Sequence, residues 1–435
     1  MRKNAIFIIG ILFFAFGFIT WLNSTLMPFL KLVCQLKSDT QAFFVTFAFY
    51  MAYFCLALPS SFILKRSGYK NGMALGLFIM AIGSILFIPA ANTRSFPLFL
   101  TGLFVQGMGL ALLQTASNPY ISIIGPIETA ARRISIMGIC NKIAGMISPI
   151  LLGAVILKNA SALESTIAAT KETGRRVLLL QELASRIIKP YCIMTVILLL
   201  LAVMIKLAPL PEIDDGGGGF GERGGGDIGE ATDRNGPRIP ALKDSPAIFR
   251  FPHLWLGVLC IFLYVGVEVM AGDAIGMFGR AQGMPLDVTK YFTFFTLLGM
   301  LIGYIAGIAA IPALITQQMG LAISAVLGIV FSIGAYLTSG YTAIVFIALL
   351  GLANALMWPA IFPLAIKGLG RRTRTGSALL VMGIAGGAVI PLIYGLLKDK
   401  LHLPNQLAFF SCILPAYIYI LYYSVKGYKA SPTLS

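Results

Sequence analysis

Twelve stretches of mostly apolar residues, each about as long as a bilayer is thick, follow one another along this chain and decide what it can fold into. A helix rises 1.5 Å per residue, so about 20 apolar residues cross the hydrocarbon core of a membrane. Cutting at charges, glycines and prolines places the spans at 5–31, 40–64, 72–92, 95–124, 134–157, 189–209, 253–279, 288–310, 319–339, 340–366, 375–397 and 403–425. The ninth and tenth meet at Ser339-Gly340 with almost no loop between them. Only 11% of the 435 residues are charged, against about 25% in soluble domains. So few charges cannot cover a surface that faces water. Lipid offers the backbone no hydrogen-bond partners, so the spans are expected to be helices. Met1-Arg2-Lys3 leads into an apolar run too long for a signal peptide and without a small-residue cleavage site, so the first span is expected to stay.

Lys and Arg in the short loops predict the orientation. With the N-terminus inside, thirteen fall on the cytoplasmic side: Arg2, Lys3, Lys65, Arg66, Lys70, Arg132, Arg133, Lys367, Arg371, Arg372, Arg374, Lys426 and Lys429. Seven fall outside: Lys31, Lys37, Arg94, Arg280, Lys290, Lys398 and Lys400. Both termini are therefore expected in the cytoplasm, as an even number of spans requires. This loop charge accounts for the net +16. No clustered basic face points to nucleic acid. Residues 158–188 read as a polar outer segment. Residues 210–252 read as a cytoplasmic linker, with glycine at eight of the eleven positions from 216 to 226. A run without side chains to bury behaves as flexible coil. It lacks the preceding strand and following helix of a phosphate-binding loop. The linker divides the chain into a six-span half at 1–209 and another at 253–435. The halves show faint symmetry at an offset of about 240, with Pro119 thirteen residues before Arg132 and Pro359 thirteen before Arg372. This is the organisation of the major facilitator fold.

Ionisable residues inside a span are costly, and each is a functional candidate. Glu268 and Asp273 lie in the seventh span, about 140° apart around an ideal helix. Either could be a coupling group. Structural roles for Glu268 are capping a broken helix or pairing with a base of the other half. Lys142, beside Asn141 in the fifth span, could snorkel to the cytoplasmic side. Amides form a clearer pattern. Gln114 and Asn118 are four apart in the fourth span, Asn354 and Trp358 four apart in the tenth, and Thr20, Asn23 and Ser24 cluster in the first. Amides donate and accept hydrogen bonds, and an indole offers a flat apolar face. Together they suit a sugar, with its hydroxyl edges and C–H faces. The alternative for each alone is polar packing between helices. Pro119 and Pro359 leave nearby carbonyls without backbone partners, which is tolerated at a cavity wall. No nucleophile–base pair, metal-ligand spacing or nucleotide motif appears, so an enzyme is not expected, and neither is a bound metal or cofactor. The six cysteines are scattered in apolar runs and read as packing residues. His253 and His402 lie near span ends and read as interfacial.

Several of these stretches resemble the fucose–galactose–glucose symporter family of the major facilitator superfamily, and its bacterial glucose/galactose branch above all. They are Phe16-Gly-Phe-Ile-Thr-Trp-Leu-Asn-Ser24, Leu112-Leu-Gln-Thr-Ala-Ser-Asn-Pro-Tyr120, Arg133-Ile-Ser-Ile-Met-Gly-Ile-Cys-Asn-Lys-Ile-Ala-Gly145, Tyr264-Val-Gly-Val-Glu268 and Trp358-Pro-Ala-Ile-Phe362. The loop Lys65-Arg-Ser-Gly-Tyr-Lys70 is a degraded form of the superfamily's loop motif, with Lys65 where an acidic residue is usual. The resemblance implies a sugar bound between the halves and alternating access. It carries a sugar-site asparagine onto Asn141 and an aromatic onto Trp358. The span-one and span-four carboxylates of the fucose permeases fall on Ser24 and Gln114, neither of which titrates. A fucose-type proton mechanism therefore cannot be copied. Glu268 or Asp273 takes the proton, or Na⁺ drives transport, or transport is passive. The expectation is a monomeric hexose importer of the bacterial inner membrane. Its sugar contacts are Asn23, Gln114, Asn118, Asn141, Asn354 and Trp358. A fucose or amino-sugar carrier and a non-transporting sugar sensor are the alternatives.

Overall fold

In a computed structural model, which describes residues 2–123, 130–209, 248–311, 314–369 and 372–430, the apolar stretches are helices, and the described residues form no strand. The first half of the chain folds as α1 (Arg2–Thr20), α2 (Asn23–Val33), α3 (Asp39–Ile85), α4 (Phe87–Thr93), α5 (Phe96–Ile123), α6 (Ala130–Ile156), α7 (Ala160–Ala169), α8 (Thr173–Ser185) and α9 (Ile188–Leu207). The second folds as α10 (Pro252–Gly272), α11 (Ile275–Ala281), α12 (Leu286–Thr289), α13 (Phe292–Ala310), α14 (Gln317–Leu337), α15 (Gly340–Asn354), α16 (Met357–Ile366), α17 (Thr373–Met382), α18 (Gly386–Asp399) and α19 (Asn405–Val425). The glycine run of the linker lies outside the described residues.

Among the described residues, eleven apolar segments are long enough to span a bilayer, and one of them, Asp39–Thr93, crosses twice. Within α3, Gly68 takes φ 74°, ψ 169°, a conformation that glycine enters without steric cost. The chain reverses there. The Phe49 carbonyl lies against Gly107 and Met80 against Gly109, two residues apart within one turn of α5. A straight helix would separate Phe49 and Met80 by about 46 Å. The second and third spans are thus a hairpin around Gly68, and the count is twelve passes in two six-pass halves. The close ninth–tenth junction is also turned by a glycine. Gly340 has φ 62°, and its N–H donates to the Gln282 side-chain oxygen at 2.6 Å. Large apolar side chains such as Leu200, Val203, Ile305 and Val345 remain more than half exposed on the flanks, where lipid would cover them.

Alternating passes put both chain ends on one face of the bundle, the near face. The opposite, far face carries the 158–188 segment. This segment forms the helical hairpin α7–α8. The far face is clasped across the two halves at two places. At one, Glu164 of α7 pairs with Arg280 of α11 at 2.6 Å. Beside it the Ser161 N–H donates to Asp287 Oδ2 at 3.2 Å, and the Asp287 N–H to Ser161 Oγ at 3.3 Å. At the other, Asp39 pairs with Lys398 at 2.6 Å, and the Thr40 N–H donates to the Asp399 carboxylate at 2.7 Å.

The two-way bonding of Ser161 and Asp287 brings their backbones close enough for a disulfide. In the double variant Ser161→Cys, Asp287→Cys, mild oxidation should join α7 to α12. Mass spectrometry should find the linked peptide pair, absent from either single variant. Finding only unlinked peptides would mean that the far face is not closed in this way.

Candidate functional site

Where the two halves meet, the spans are broken. The first breaks at Trp21-Leu22, between α1 and α2. The seventh breaks after Gly272, several residues before its expected end, and the tenth at Ala355-Leu356. The eleventh passes through a 3₁₀ turn, Gly383–Ala385. A broken helix frees carbonyls that must find other donors. The Thr293 and Thr296 hydroxyls of α13 donate to Gly272 and Ala271, each at 2.8 Å. Ser24 Oγ donates to the Trp21 carbonyl at 2.9 Å. Pro363 cannot donate to Pro359, and Gln317 Nε2 supplies the missing bond at 3.0 Å.

These breaks surround a central cavity of about 110 Å³. Gln114, Asn118 and Asn141 bring amides to its wall, and Tyr50, Tyr53, Tyr264 and Tyr304 bring phenol rings. Phe13, Phe16, Trp21 and Trp358 add apolar faces. Gln114 Nε2 donates to the Tyr53 hydroxyl at 3.0 Å, which fixes the amide orientation. A narrow crevice continues from Gln114 and Asn118 towards the near face, between Leu64 and Tyr69 of one half and Phe362, Ser377 and Val381 of the other.

The cavity also holds a charge pair that joins the halves. Lys142 Nζ of α6 donates to Glu268 Oε1 of α10 at 2.7 Å, with the two side chains 7% and 13% exposed. Nζ also stands 4.5 Å from the centre of the Trp21 ring, within cation–π range. Trp21 is held on both sides by glycines, Gly145 of α6 and Gly272 of α10, where an added Cβ would meet the ring at 2.3 and 2.2 Å. Its indole N–H points to Asn141 Oδ1 at 3.5 Å. Of the two roles open to Glu268 as a structural residue, the structure shows the pairing.

Of the sequence-predicted site residues, the structure brings Gln114, Asn118, Asn141, Trp358 and Glu268 together on this wall. Three others lie elsewhere. Asn354 is fully buried within the second half, where its Oδ1 accepts from the Tyr417 hydroxyl at 2.8 Å and ties α15 to α19. The helix break at Ala355-Leu356 separates it from Trp358, so the ideal-helix face they were expected to share does not form. Asn23 is 1% exposed at the start of α2, behind the cavity wall, and its amide makes no hydrogen bond. Asp273, also 1% exposed, lies beyond Glu268 at the end of α10, outside the lining. Lys142, which could have snorkelled to the cytoplasmic side, does not. It sits nine residues into the membrane from Arg133, about 14 Å along the helix, and that distance was readable from the sequence. Trp21 and the tyrosines were missed, because large apolar residues in an apolar span carry no signal until the breaks are known. His253 is buried at the near face, with Nε2 2.9 Å from the Lys367 carbonyl.

A twelve-pass bundle in two halves, with a polar cavity between them at broken helices, defines a secondary transporter fold. The chain matches the Major Facilitator Superfamily over residues 9–392, and it belongs to that family of transporters, which are not enzymes. It is 34% identical over 423 residues to the glucose/galactose transporter of Brucella abortus biovar 1 (strain 9-941), covering 97% of this chain and 93% of that one. It is 26% identical over 390 residues to the L-fucose-proton symporter of Escherichia coli K12, covering 89% and 85%. A crystal structure of the Escherichia coli fucose:proton symporter shares the fold with a TM-score of 0.71 at 23% identity, over 97% of this chain and 99% of that one. An inward-facing structure of a bacterial homologue of the lysosomal transporter Spinster superposes with a TM-score of 0.57 at 17% identity, over 98% and 95%.

Asn354 and Tyr417 form a packing contact, so its loss should weaken the bundle and spare the cavity. Tyr417→Phe should lower the unfolding free energy by about 0.6–1.7 kcal/mol, the range of single hydrogen bonds between membrane helices. Thermal unfolding in detergent measures this. An unchanged melting temperature would contradict the structural role.

Proposed function

We propose that the chain imports a hexose of the glucose/galactose type by alternating access, coupled to a cation. The observation that carries this is the cavity itself, formed between the halves and lined by amides and aromatic rings. Its one pair of full charges is internally neutralised. Gln114, Asn118 and Asn141 can meet the hydroxyls of a neutral ring, and Trp358 and Trp21 can lie along its C–H faces. A charged solute would find no uncompensated partner among these groups. The extent of the match to the glucose/galactose transporter of Brucella abortus supports this substrate class. A monomer suffices, since one chain builds the whole cavity. The excess of Lys and Arg on the near-face loops makes that face cytoplasmic, so both termini lie in the cytoplasm and the bacterial inner membrane is the natural site. The clasped far face is then the outer side, and the crevice by Phe362 leads inward.

Counterflow in proteoliposomes tests this, with labelled glucose, galactose, fucose and N-acetylglucosamine. Glucose and galactose should exchange fastest. Preferred exchange of fucose or the amino sugar would move the substrate within the family. Exchange of none, with sugar binding retained, would make the protein a sensor. Gln114→Ala and Trp358→Ala should each raise the Kd for sugar about tenfold, the value of one well-made polar or stacking contact. Calorimetric titration giving wild-type affinity in both would mean that the sugar binds elsewhere.

A further inference from the structure

Two carboxylates and one lysine are buried together where α10 breaks, and they are not equivalent. Glu268 is paired with Lys142 at 2.7 Å, so its charge is already compensated. Asp273, five residues further along, is 1% exposed and has no cation of its own; the Tyr50 phenol and the Ser24 N–H stand beside it, outside good hydrogen-bond geometry. A bare carboxylate away from water is among the most costly groups a protein can hold, and such a group takes up a neutralising partner.

The groups facing Asp273 come from several helices. They are Glu268 of its own helix, Lys142 of α6, the Tyr50 phenol of α3 and the Ser24 N–H of α2. Helix α13 brings the Thr293 hydroxyl, which is engaged by the Gly272 carbonyl. Lys142 is the one cation in this set, and it is engaged by Glu268. Unwound carbonyls at a helix break can coordinate Na⁺, but here Ala271 and Gly272 are taken by the Thr296 and Thr293 hydroxyls. Among the described residues no cluster of three or more acidic, histidine or cysteine side chains could hold a metal ion.

We propose that Asp273 carries the co-transported proton, while Lys142 serves as a tethered counter-ion to Glu268. This rests on the transport reading above and names the coupling group within it. With the far face open, the Asp273 carboxylate takes a proton from outside water and becomes a neutral acid. Only in that form can it be enclosed, as it is here beneath the far-face clasps. Tyr50 stands both beside Asp273 and on the cavity wall, so the proton leaves past its phenol to water in the cavity, and the carboxylate is restored. Tyr50 and Ser24 belong to one half and Asp273 to the other. Rocking of the halves therefore changes how many donors the carboxylate meets, which ties its protonation to the conformation.

The test uses full-length protein in proteoliposomes and in detergent. An imposed proton gradient should drive sugar accumulation in the wild type. Asp273→Asn should abolish accumulation while still exchanging sugar by counterflow, and Asp273→Glu should restore part of it. In the infrared, the wild type should show the C=O band of a protonated carboxylic acid, shifted in D₂O. Tyr50→Phe should displace that band and Asp273→Asn should remove it. The infrared readout needs no sugar, so it separates failure of this proposal from failure of the substrate assignment, which counterflow by the wild type reports. Proton-driven accumulation by Asp273→Asn, accumulation driven by Na⁺ but not by protons, or an acid band indifferent to both substitutions would each overturn the proposal.

Discussion

The two halves of this protein are joined at their centre by charges that neither half could bury alone. Lys142 lies about 14 Å along α6 from Arg133, near the near-face end of that helix, beyond the reach of the interface. Glu268 lies in a helix with no basic partner of its own. Each would be strongly destabilising without the other, since removing one member of a buried pair costs about 3–5 kcal/mol. The bond sets α6 against α10, and the cavity forms around it. Trp21 fits between these helices only because glycines flank its ring on both sides, and it lies under the lysine as the roof of the site.

The two far-face clasps differ. At one clasp Glu164 and Arg280 are about one-third exposed, and an ion pair in contact with water contributes little, about 0–1 kcal/mol; at the other, Asp39 and Lys398 are only 15% and 12% exposed. The exposed Glu164–Arg280 contact can close a gate and release it at small cost, as a carrier that must open to both sides requires. Buried ion pairs thus stand both at the centre, Lys142–Glu268, and on the far face, Asp39–Lys398, while Glu164–Arg280 lies at the wet rim. At the broken helices, threonine hydroxyls of α13 and the amide of Gln317 take over the freed carbonyls, so the backbone can be irregular beside the cavity without leaving polar groups bare.

Much of the fold was legible because lipid imposes strict lengths and apolarity on every span. Even the near-loopless turn at Gly340 was correctly cut. The site was legible in part. Gln114, Asn118, Asn141, Trp358 and Glu268 stood out as polar or aromatic groups at helical spacing, and they share the wall. Asn354 did not follow, because a break at Ala355 rotates one half of the helix against the other, and ideal-helix geometry cannot register that. Trp21 and the cavity tyrosines were invisible for the opposite reason. They are large apolar rings in apolar spans, and only the three-dimensional breaks turn them towards the centre. Ser24 and Gln114 carry no titratable group, which turned the coupling question towards α10.

A double-mutant cycle on Lys142 and Glu268 tests most directly whether this ion pair is the central joint. Unfolding free energies in detergent would be measured for the wild type, Lys142→Gln, Glu268→Gln and the double variant. Each single substitution should cost about 3–5 kcal/mol and the double far less than their sum, because removing both charges leaves none uncompensated. Costs that simply add, to within about 0.5 kcal/mol, would show that the two residues act independently and that the halves are held together by something else.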